Sequence, residues 1–214
     1  MIINDSFPKF DLPIDFIADD SITGDILNYY SNFPCKIKAG VFVLCTEGMV
    51  KATINLLEVV IRKNDFVIVL PNSFIQIHEV SSDTRISFAG FSSDFMLSGN
   101  YVEILLDSMP MILNSPVISL QDDIAGLYRN VYLLLIRAYT LPHSLENKDI
   151  IRSILAIFLQ GTKELYKRYG RKLDEPLRRE QELYRQFIQL LMAHYTSEHE
   201  VAFYAEKCGV TAAH

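Results

Sequence analysis

The feature that most limits the fold is a change in the spacing of apolar residues partway along the chain. Between residues 41 and 91, short apolar runs are separated by turn residues such as Gly48, Asn64 and Pro71. From residue 122 onward, apolar residues recur at intervals of three and four. Short runs between turns are typical of β-strands, whereas the longer spacing indicates amphipathic helices. The sequence therefore predicts an α+β protein with its strands first.

The β part is predicted to form a sandwich or barrel. Short strands in succession, separated by turns, favour such a fold over isolated buried helices. The strands are predicted at 41–45, 49–55, 58–62, 66–70, 74–80 and 85–91.

A small barrel can hold one small ligand, or its own side chains can fill it, and the sequence leaves both possibilities open. If a pocket exists, we expect it to be mainly apolar. Its expected lining is Phe42, Leu44, Thr53, Ile75, Ile77 and Phe88.

The helical part is predicted to be a hairpin. Its first helix starts at Asp122, with an apolar face of Ile124, Leu127, Val131, Leu134, Leu135 and Ala138, and the chain breaks at 141–144. The second helix is predicted over 150–169. It carries more apolar surface than one stripe, so we expect a homodimer to cover the surplus. The expected interface residues are Ile151, Leu155, Phe158 and Leu159.

No grouping of residues in the sequence predicts catalysis, a cofactor or a metal. The three cysteines, Cys35, Cys45 and Cys208, are few and widely spaced, which argues against a disulfide framework or a zinc site. The chain has no HxH pair, and His78 stands alone in the β part. The adjacent acids at 19–20 and 122–123 are interpreted as turn or helix-start residues.

Composition indicates a packed globular protein with little general affinity for DNA. The formal net charge is −6, and half of the residues are hydrophobic. A DNA-binding surface is usually basic. No apolar stretch predicts a membrane span and no signal sequence is recognised, so we expect a cytoplasmic protein that does not bind membranes.

The C-terminal part carries a motif. After a predicted linker at 171–179 and a helix over 180–195, residues 201–211 read V-A-F-Y-A-E-K-C-G-V-T. This stretch resembles the start of the DNA-binding domain of AraC/XylS-type transcription regulators, notably those of Bacteroidetes. The matching residues are Val201, Tyr204, Ala205, Gly209 and Thr211. Residues 64–73 resemble the turn, strand and turn of the same family's cupin-like barrel, with Asn64 where glycine is usual.

The resemblance implies four segments. They are a cupin-like effector-binding barrel over 1–120, a dimerising hairpin over 121–170, a linker over 171–179, and a truncated helix-turn-helix over 180–214. It further implies a transcription regulator that is not an enzyme and that responds to a small-molecule effector. Because only residues 212–214 follow the turn, DNA binding is expected of the full-length protein only.

Two alternatives stay open. One is a metal-independent cupin enzyme of the isomerase type, although the barrel sequence lacks convergent acid and base residues. The other is a purely structural dimerisation module whose barrel is filled by its own side chains. Neither the effector, the operator, nor the choice between activation and repression can be read from the sequence.

Overall fold

The computed structural model has the predicted α+β order, and all six predicted strands form within two residues of the expected limits. The first described helix after residue 121 begins at Asp122, as predicted. The structure describes residues 9–10, 12, 14–28, 31, 33–97, 108–109, 111–140, 148–169 and 197–211, and singly 179, 183, 186, 187, 190 and 194.

Within the described residues, ten strands form two five-stranded sheets. The outer sheet has the order β1 (Lys9–Phe10), β3 (Cys35–Ile37), β8 (Ser73–Val80), β5 (Met49–Ile54) and β6 (Leu57–Arg62). The inner sheet has the order β10 (Val117–Ser119), β7 (Asp65–Val69), β4 (Gly40–Glu47), β9 (Arg85–Phe91) and β2 (Phe16–Thr23). Neighbouring strands run antiparallel except β1 and β3.

Bounds are established for five helices, and the described residues 108–109 and 111–114 are helical as well. Two are single turns, α1 (Gly24–Asn28) and α2 (Ser93–Leu97). The long pair is α3 (Asp122–Thr140) and α4 (Lys148–Tyr169), and α5 (Val201–Lys207) follows near the C-terminus. None of the described helices is both long and apolar enough to cross a membrane.

The inner sheet is buried on both faces. One face packs on α3 and α4 through a helix-side core that includes Phe42, Leu44, Phe66 and Phe158. The other face meets the outer sheet in a second cluster, which we call the barrel interior, with members such as Cys45. Successive side chains of a strand point to opposite faces of the sheet. A strand of a sheet that is covered on both faces therefore buries all of its side chains. Strand β7 is the clearest case, because all five of its residues are buried.

The buried face of α3 differs from the predicted one. The predicted face included Leu127 and Leu134, which are 58% and 48% exposed. The helix instead buries Tyr128 and Tyr132 toward the sheet, along with Leu135. This face lies one position further along the sequence, at the same helical spacing. Tyrosine carries a polar hydroxyl, but its ring buries a large apolar area, which favours this face in the core.

Strand β2 was not predicted, because its sequence F-I-A-D-D-S-I-T breaks apolar alternation with two acids. The interpretation of residues 19–20 as turn or helix-start residues is therefore wrong. Both belong to an edge strand whose pairing with β9 shifts register between Asp19 and Ile22. The Asp19 carboxylate accepts hydrogen bonds from the backbone N–H and hydroxyl of Ser21. Such local side-chain bonds are typical of an irregular stretch in a strand.

Most of the predicted linker at 171–179 and most of the predicted helix at 180–195 lie outside the described residues. The division of the chain into four segments stays a prediction. The described single residues from 179 to 194 are all helical.

Candidate functional site: the barrel interior

The barrel interior is built by residues that share one face of each strand. In β4, Val41 and Val43 face the outer sheet, while the alternate residues Phe42 and Leu44 face the helices. Across the gap, Ile75 and Ile77 of β8 point inward, and Ile77 is opposite Ala52 in the sheet register. The site is therefore a space between two sheets, lined by aliphatic side chains.

These inward side chains remain partly open to solvent. Val41, Val43, Ile75 and Ile77 are only half-buried, whereas Phe42 and Leu44, their neighbours on the other face, are 1% and 0% exposed. A fully packed core leaves its members without accessible surface. Solvent therefore reaches the interior at these four residues, whereas other members of the cluster, such as Cys45 and Val67, are fully buried.

Cys45 is the one thiol in the buried part of the interior among the described residues. Its Sγ lies 3.2 Å from the carbonyl oxygen of Glu47, to which the S–H donates. Burial is the main reason that the pKa of this thiol is raised to about 11, and the nearby Asp65 carboxylate raises it further. The thiol is therefore protonated at neutral pH, so it is a poor nucleophile and a weak hydrogen-bond donor.

A crevice lies at the end of the barrel, where β5 and β8 meet the segment before β10. It is lined by Ile54, Asn55, Ser73, Ile112 and Pro116, among others. Its volume of about 10 Å³ is close to the room that one water molecule needs. The Asn55 side chain is held there, because its Oδ1 accepts the N–H of Phe74 at 3.0 Å.

The structure separates the six predicted lining residues into two groups. Ile75 and Ile77 belong to the interior, and the alternation of β9 places Phe88 on the same side, opposite Val43. The other three lie elsewhere, so their assignment to the pocket is corrected: Phe42 and Leu44 belong to the helix-side core, and Thr53 faces outward from the outer sheet.

Thr53 shows why its placement could not be read from polarity alone. Its Oγ1 lies 2.7 Å from Nε2 of His78, and this pair sits on the exposed face of the outer sheet. His78 thus points away from the interior, as the alternation with Ile77 predicted.

The four residues expected at a subunit interface are in the chain's own core. Ile151, Leu155, Phe158 and Leu159 are all 2% exposed or less and pack against the inner sheet. Their assignment to an intermolecular contact is therefore corrected. Other apolar side chains of the hairpin are exposed instead, namely Leu127, Leu133, Leu134, Ile150 and Ile157.

Residues of the C-terminal motif form a helix and a turn. Tyr204 is buried, and its hydroxyl donates to the carbonyl of Glu198 at 2.7 Å. Its ring packs edge-on against Phe187. Helix α5 ends before Gly209, whose φ of +68° is in the left-handed region that glycine adopts readily. Val201, Ala205 and Thr211 lie at its start, in its middle and after the turn.

A polar network joins the barrel to the hairpin. Asn64 adopts φ of +67°, as the turn motif predicted. Its side-chain amide donates to Asp122 at the start of α3 at 2.5 Å and accepts from Arg129 at 3.2 Å. The buried Asp65 beside it accepts hydrogen bonds from Ser119 and from the backbone of Arg62. The turn before β7 is thereby tied to the first turns of α3.

Metal ligation finds no support in the geometry of the described part of the chain. No three histidine, cysteine, aspartate or glutamate side chains among the described residues are grouped so that they could hold an ion. The absence of a metal and of a cofactor stays a prediction from the sequence.

Sequence reasoning missed the tyrosine pair of α3. The hydroxyls of Tyr128 and Tyr132 are buried and have no hydrogen-bond partner among the described residues. The signal was present, because two tyrosines spaced by four residues share one helix face. The predicted helix face runs through Leu127 and Leu134 instead.

The geometry defines an α+β protein with a partly open two-sheet barrel and a helical hairpin packed on one of its sheets. No protein-family model matches the sequence, and no curated protein matches it. Solved structures with a similar arrangement include the AraC-like transcriptional activator CuxR, at 10% identity and a TM-score of 0.45 over 83% of this chain. This chain spans 59% of the length of that protein.

Two further comparisons are more distant. ToxT from Vibrio cholerae is 12% identical, with a TM-score of 0.38, over 92% of this chain and 72% of ToxT. The EutQ protein of Clostridium difficile is 14% identical, with a TM-score of 0.25, over 37% of this chain and 55% of EutQ. At these scores the similarities carry no functional conclusion.

Proposed function

We propose that this protein is a transcription regulator of the AraC type that senses a small-molecule effector. The observation that carries the proposal is the C-terminal motif and its geometry: a helix with buried Tyr204, followed by a tight turn at Gly209. We interpret this helix and turn as the start of a helix-turn-helix, whose next helix would enter the major groove. The partly open barrel supplies a place for the effector.

The chemistry of the barrel interior favours an apolar effector. Val43, Ile75 and Ile77 offer hydrocarbon surface, and the Cys45 thiol is neutral. A metal-independent enzyme would need ionisable groups that can exchange protons near pH 7. Val43, Ile75, Ile77 and the neutral Cys45 supply no such group, so we favour binding over catalysis.

We propose that the protein dimerises through the exposed apolar stripes of the hairpin. Leu127 and Leu134 are two turns apart on α3, and Ile150 and Ile157 have the same spacing on α4. Side chains seven residues apart lie on one side of a helix, so each pair forms a stripe. A two-fold related copy would cover these stripes and bring together two DNA-binding segments.

The network around Asn64 offers a route from effector to hairpin. Its backbone belongs to the turn that begins β7, and its side chain contacts Asp122 and Arg129 of α3. A shift of the inner sheet on ligand binding would move this turn and tilt α3. Dimer geometry, and with it the spacing of the DNA-binding segments, would change.

The regulator proposal is tested by chromatin immunoprecipitation of the tagged protein expressed from its own gene. We expect enrichment at a small set of promoters. Tyr204→Asp should abolish it, because a charge would replace a buried ring, while Tyr204→Phe should keep most of it. Absence of promoter enrichment for the unmodified protein would refute the proposal.

The dimer proposal is tested by light scattering of the purified protein at micromolar concentration. We expect twice the chain mass of 24.5 kDa. Ile157→Glu should shift the mass toward the monomer, because a carboxylate would be buried in an apolar interface. Leu56→Glu is the matched control, because Leu56 is an apolar residue of similar exposure, 58%, in the turn between β5 and β6 of the outer sheet, whereas the hairpin packs on the inner sheet. A monomeric unmodified protein would contradict the proposal.

A further inference from the structure

The junction between α3, α4 and the inner sheet contains two buried tyrosine hydroxyls that form no hydrogen bond with any described residue. Tyr128 and Tyr132 lie one turn apart on the buried face of α3, and they are 7% and 1% exposed. Neither hydroxyl has a hydrogen-bond partner among the described residues. Buried polar groups in folded proteins are nearly always paired, so two unpaired donors on adjacent turns require an explanation.

Two other hydroxyls in the same core are paired, so acceptors are present in this region. Tyr166 of α4 donates to the carbonyl of Ser115 at 2.5 Å. Thr162 donates to the carbonyl of Phe158 at 2.6 Å. Tyr128 and Tyr132 differ from these two, because no acceptor among the described residues forms a hydrogen bond with their hydroxyls.

The two tyrosines are surrounded by aromatic rings and by one glycine. The ring of Tyr128 lies 4.7 Å from that of Phe66, and the ring of Tyr132 lies 5.2 Å from that of Phe158. Gly161 of α4 faces the Tyr128 hydroxyl, and a Cβ at this position would lie 2.5 Å from the hydroxyl oxygen. The Tyr128 hydroxyl thus occupies the space that a side chain at position 161 would need, and only glycine fits there without displacing it.

The charge state of the Tyr128 and Tyr132 phenols indicates which chemical group could accept their hydrogen bonds. Burial raises the pKa of both phenols well above the ordinary value, so both are neutral donors at physiological pH. A carboxylate here would be buried as a charge against neutral donors alone, which is unfavourable. A carbonyl oxygen is neutral and has two lone pairs, one for each hydroxyl.

We propose that the junction between α3, α4 and the inner sheet is a second ligand site, separate from the barrel interior. It would take a flat, uncharged, apolar compound whose carbonyl oxygen accepts hydrogen bonds from Tyr128 and Tyr132. Phe66 and Phe158 would stack on the apolar body of the compound. Because the aromatic side chains are in contact in this structure, the ligand enters by moving α3 away from α4, and its binding alters the hairpin.

Three probes of similar size separate the parts of this proposal. Acetophenone has the carbonyl and the ring, ethylbenzene lacks the acceptor, and benzoate carries a charge. Dissociation constants are measured by ligand-observed NMR with the whole chain. We expect acetophenone to bind about threefold to tenfold more tightly than ethylbenzene, the range for one or two neutral hydrogen bonds, and benzoate to bind most weakly.

Variants locate the site. Tyr132→Phe and Tyr128→Phe should each weaken acetophenone binding about threefold and leave ethylbenzene unchanged. Gly161→Ala should weaken the binding of acetophenone, because its methyl group would clash with the Tyr128 hydroxyl and displace this donor. Tyr166→Phe is the matched control, since it removes a buried tyrosine hydroxyl that is already paired. Circular dichroism confirms that each variant is folded.

Several results would overturn the proposal. One is equal affinity of the unmodified protein for acetophenone and ethylbenzene, and another is no detectable binding of acetophenone at millimolar concentration. A third is full affinity for acetophenone in both tyrosine variants. Loss of acetophenone binding in Val43→Phe alone would place the compound in the barrel interior and would likewise refute a second site, while leaving the regulator proposal intact.

Discussion

Removing a single hydroxyl from the hairpin should make the protein more stable. In the unliganded protein, the Tyr132 hydroxyl is buried without a partner among the described residues. An unsatisfied buried polar group costs roughly 1–3 kcal/mol. Phenylalanine keeps the ring and its contacts with Phe158, and it loses only a few van der Waals contacts of one oxygen, each about 0.1–0.2 kcal/mol. Tyr132→Phe should therefore raise the free energy of unfolding by about 1 kcal/mol.

The same substitution at Tyr166 should have the opposite effect. Its hydroxyl donates to the Ser115 carbonyl, and the residue is 6% exposed. Tyr166→Phe removes that bond and leaves a carbonyl without this donor, which should cost about 1–3 kcal/mol. The two variants are chemically identical changes in one core, so they differ only in whether the hydroxyl is paired.

Urea denaturation followed by circular dichroism measures both variants, because the chain has no tryptophan to serve as a fluorescent probe. With an m-value of about 2 kcal/mol per molar, a change of 1 kcal/mol moves the midpoint by about 0.5 M. We expect the midpoint to rise for Tyr132→Phe and to fall for Tyr166→Phe. If both variants lower it equally, the Tyr132 hydroxyl is paired in solution and the inference of a second ligand site fails.

Three other expectations follow from the packing. Leu155→Ala should lower the free energy of unfolding by about 2–5 kcal/mol in the same urea assay, because the side chain is fully buried; a smaller loss would contradict its place in the core. Asn64→Ala should be about 1 kcal/mol less stable than Asn64→Gly, since both lose the bond to Asp122 but only alanine is strained at φ of +67°; equal midpoints would refute the strain. Burial raises the pKa of Cys45 from 9.0 to about 11, so the unfolded chain loses this proton first and stability should fall as pH rises from about 9 to 11. Cys45→Ala should flatten that part of the pH profile, and an unchanged profile would count against the buried thiol.

The strands could be predicted because each apolar run is short and ends at a residue that suits a turn. Asn64 is an example, since its left-handed conformation was expected from the motif and is found. The face of the sheet on which each side chain lies was harder to predict. Phe42 and Leu44 were assigned to the barrel interior because they are apolar, but in a sheet that is buried on both faces, apolar character does not distinguish the faces.

The hairpin shows the same difficulty for helices. The existence and limits of α3 and α4 follow from their spacing, yet the packing direction of α3 does not. Leucines and tyrosines alternate along it, and two overlapping faces have almost equal apolar content. Only the contact of Tyr128 with Phe66, which is distant in sequence, decides between them. On α4, the expected dimer contact included Leu155, which is buried, whereas Ile157 is 54% exposed.

The inner sheet also determines how the protein can be divided. Phe42, Leu44 and Phe66 are covered by the hairpin, so a fragment that ended near residue 120 would expose an aromatic face to water. Such a fragment is expected to aggregate, and a hairpin without the sheet would lose its only described support. The barrel and the hairpin therefore unfold together as one cooperative unit, and amide hydrogens of β7 should exchange only through global unfolding.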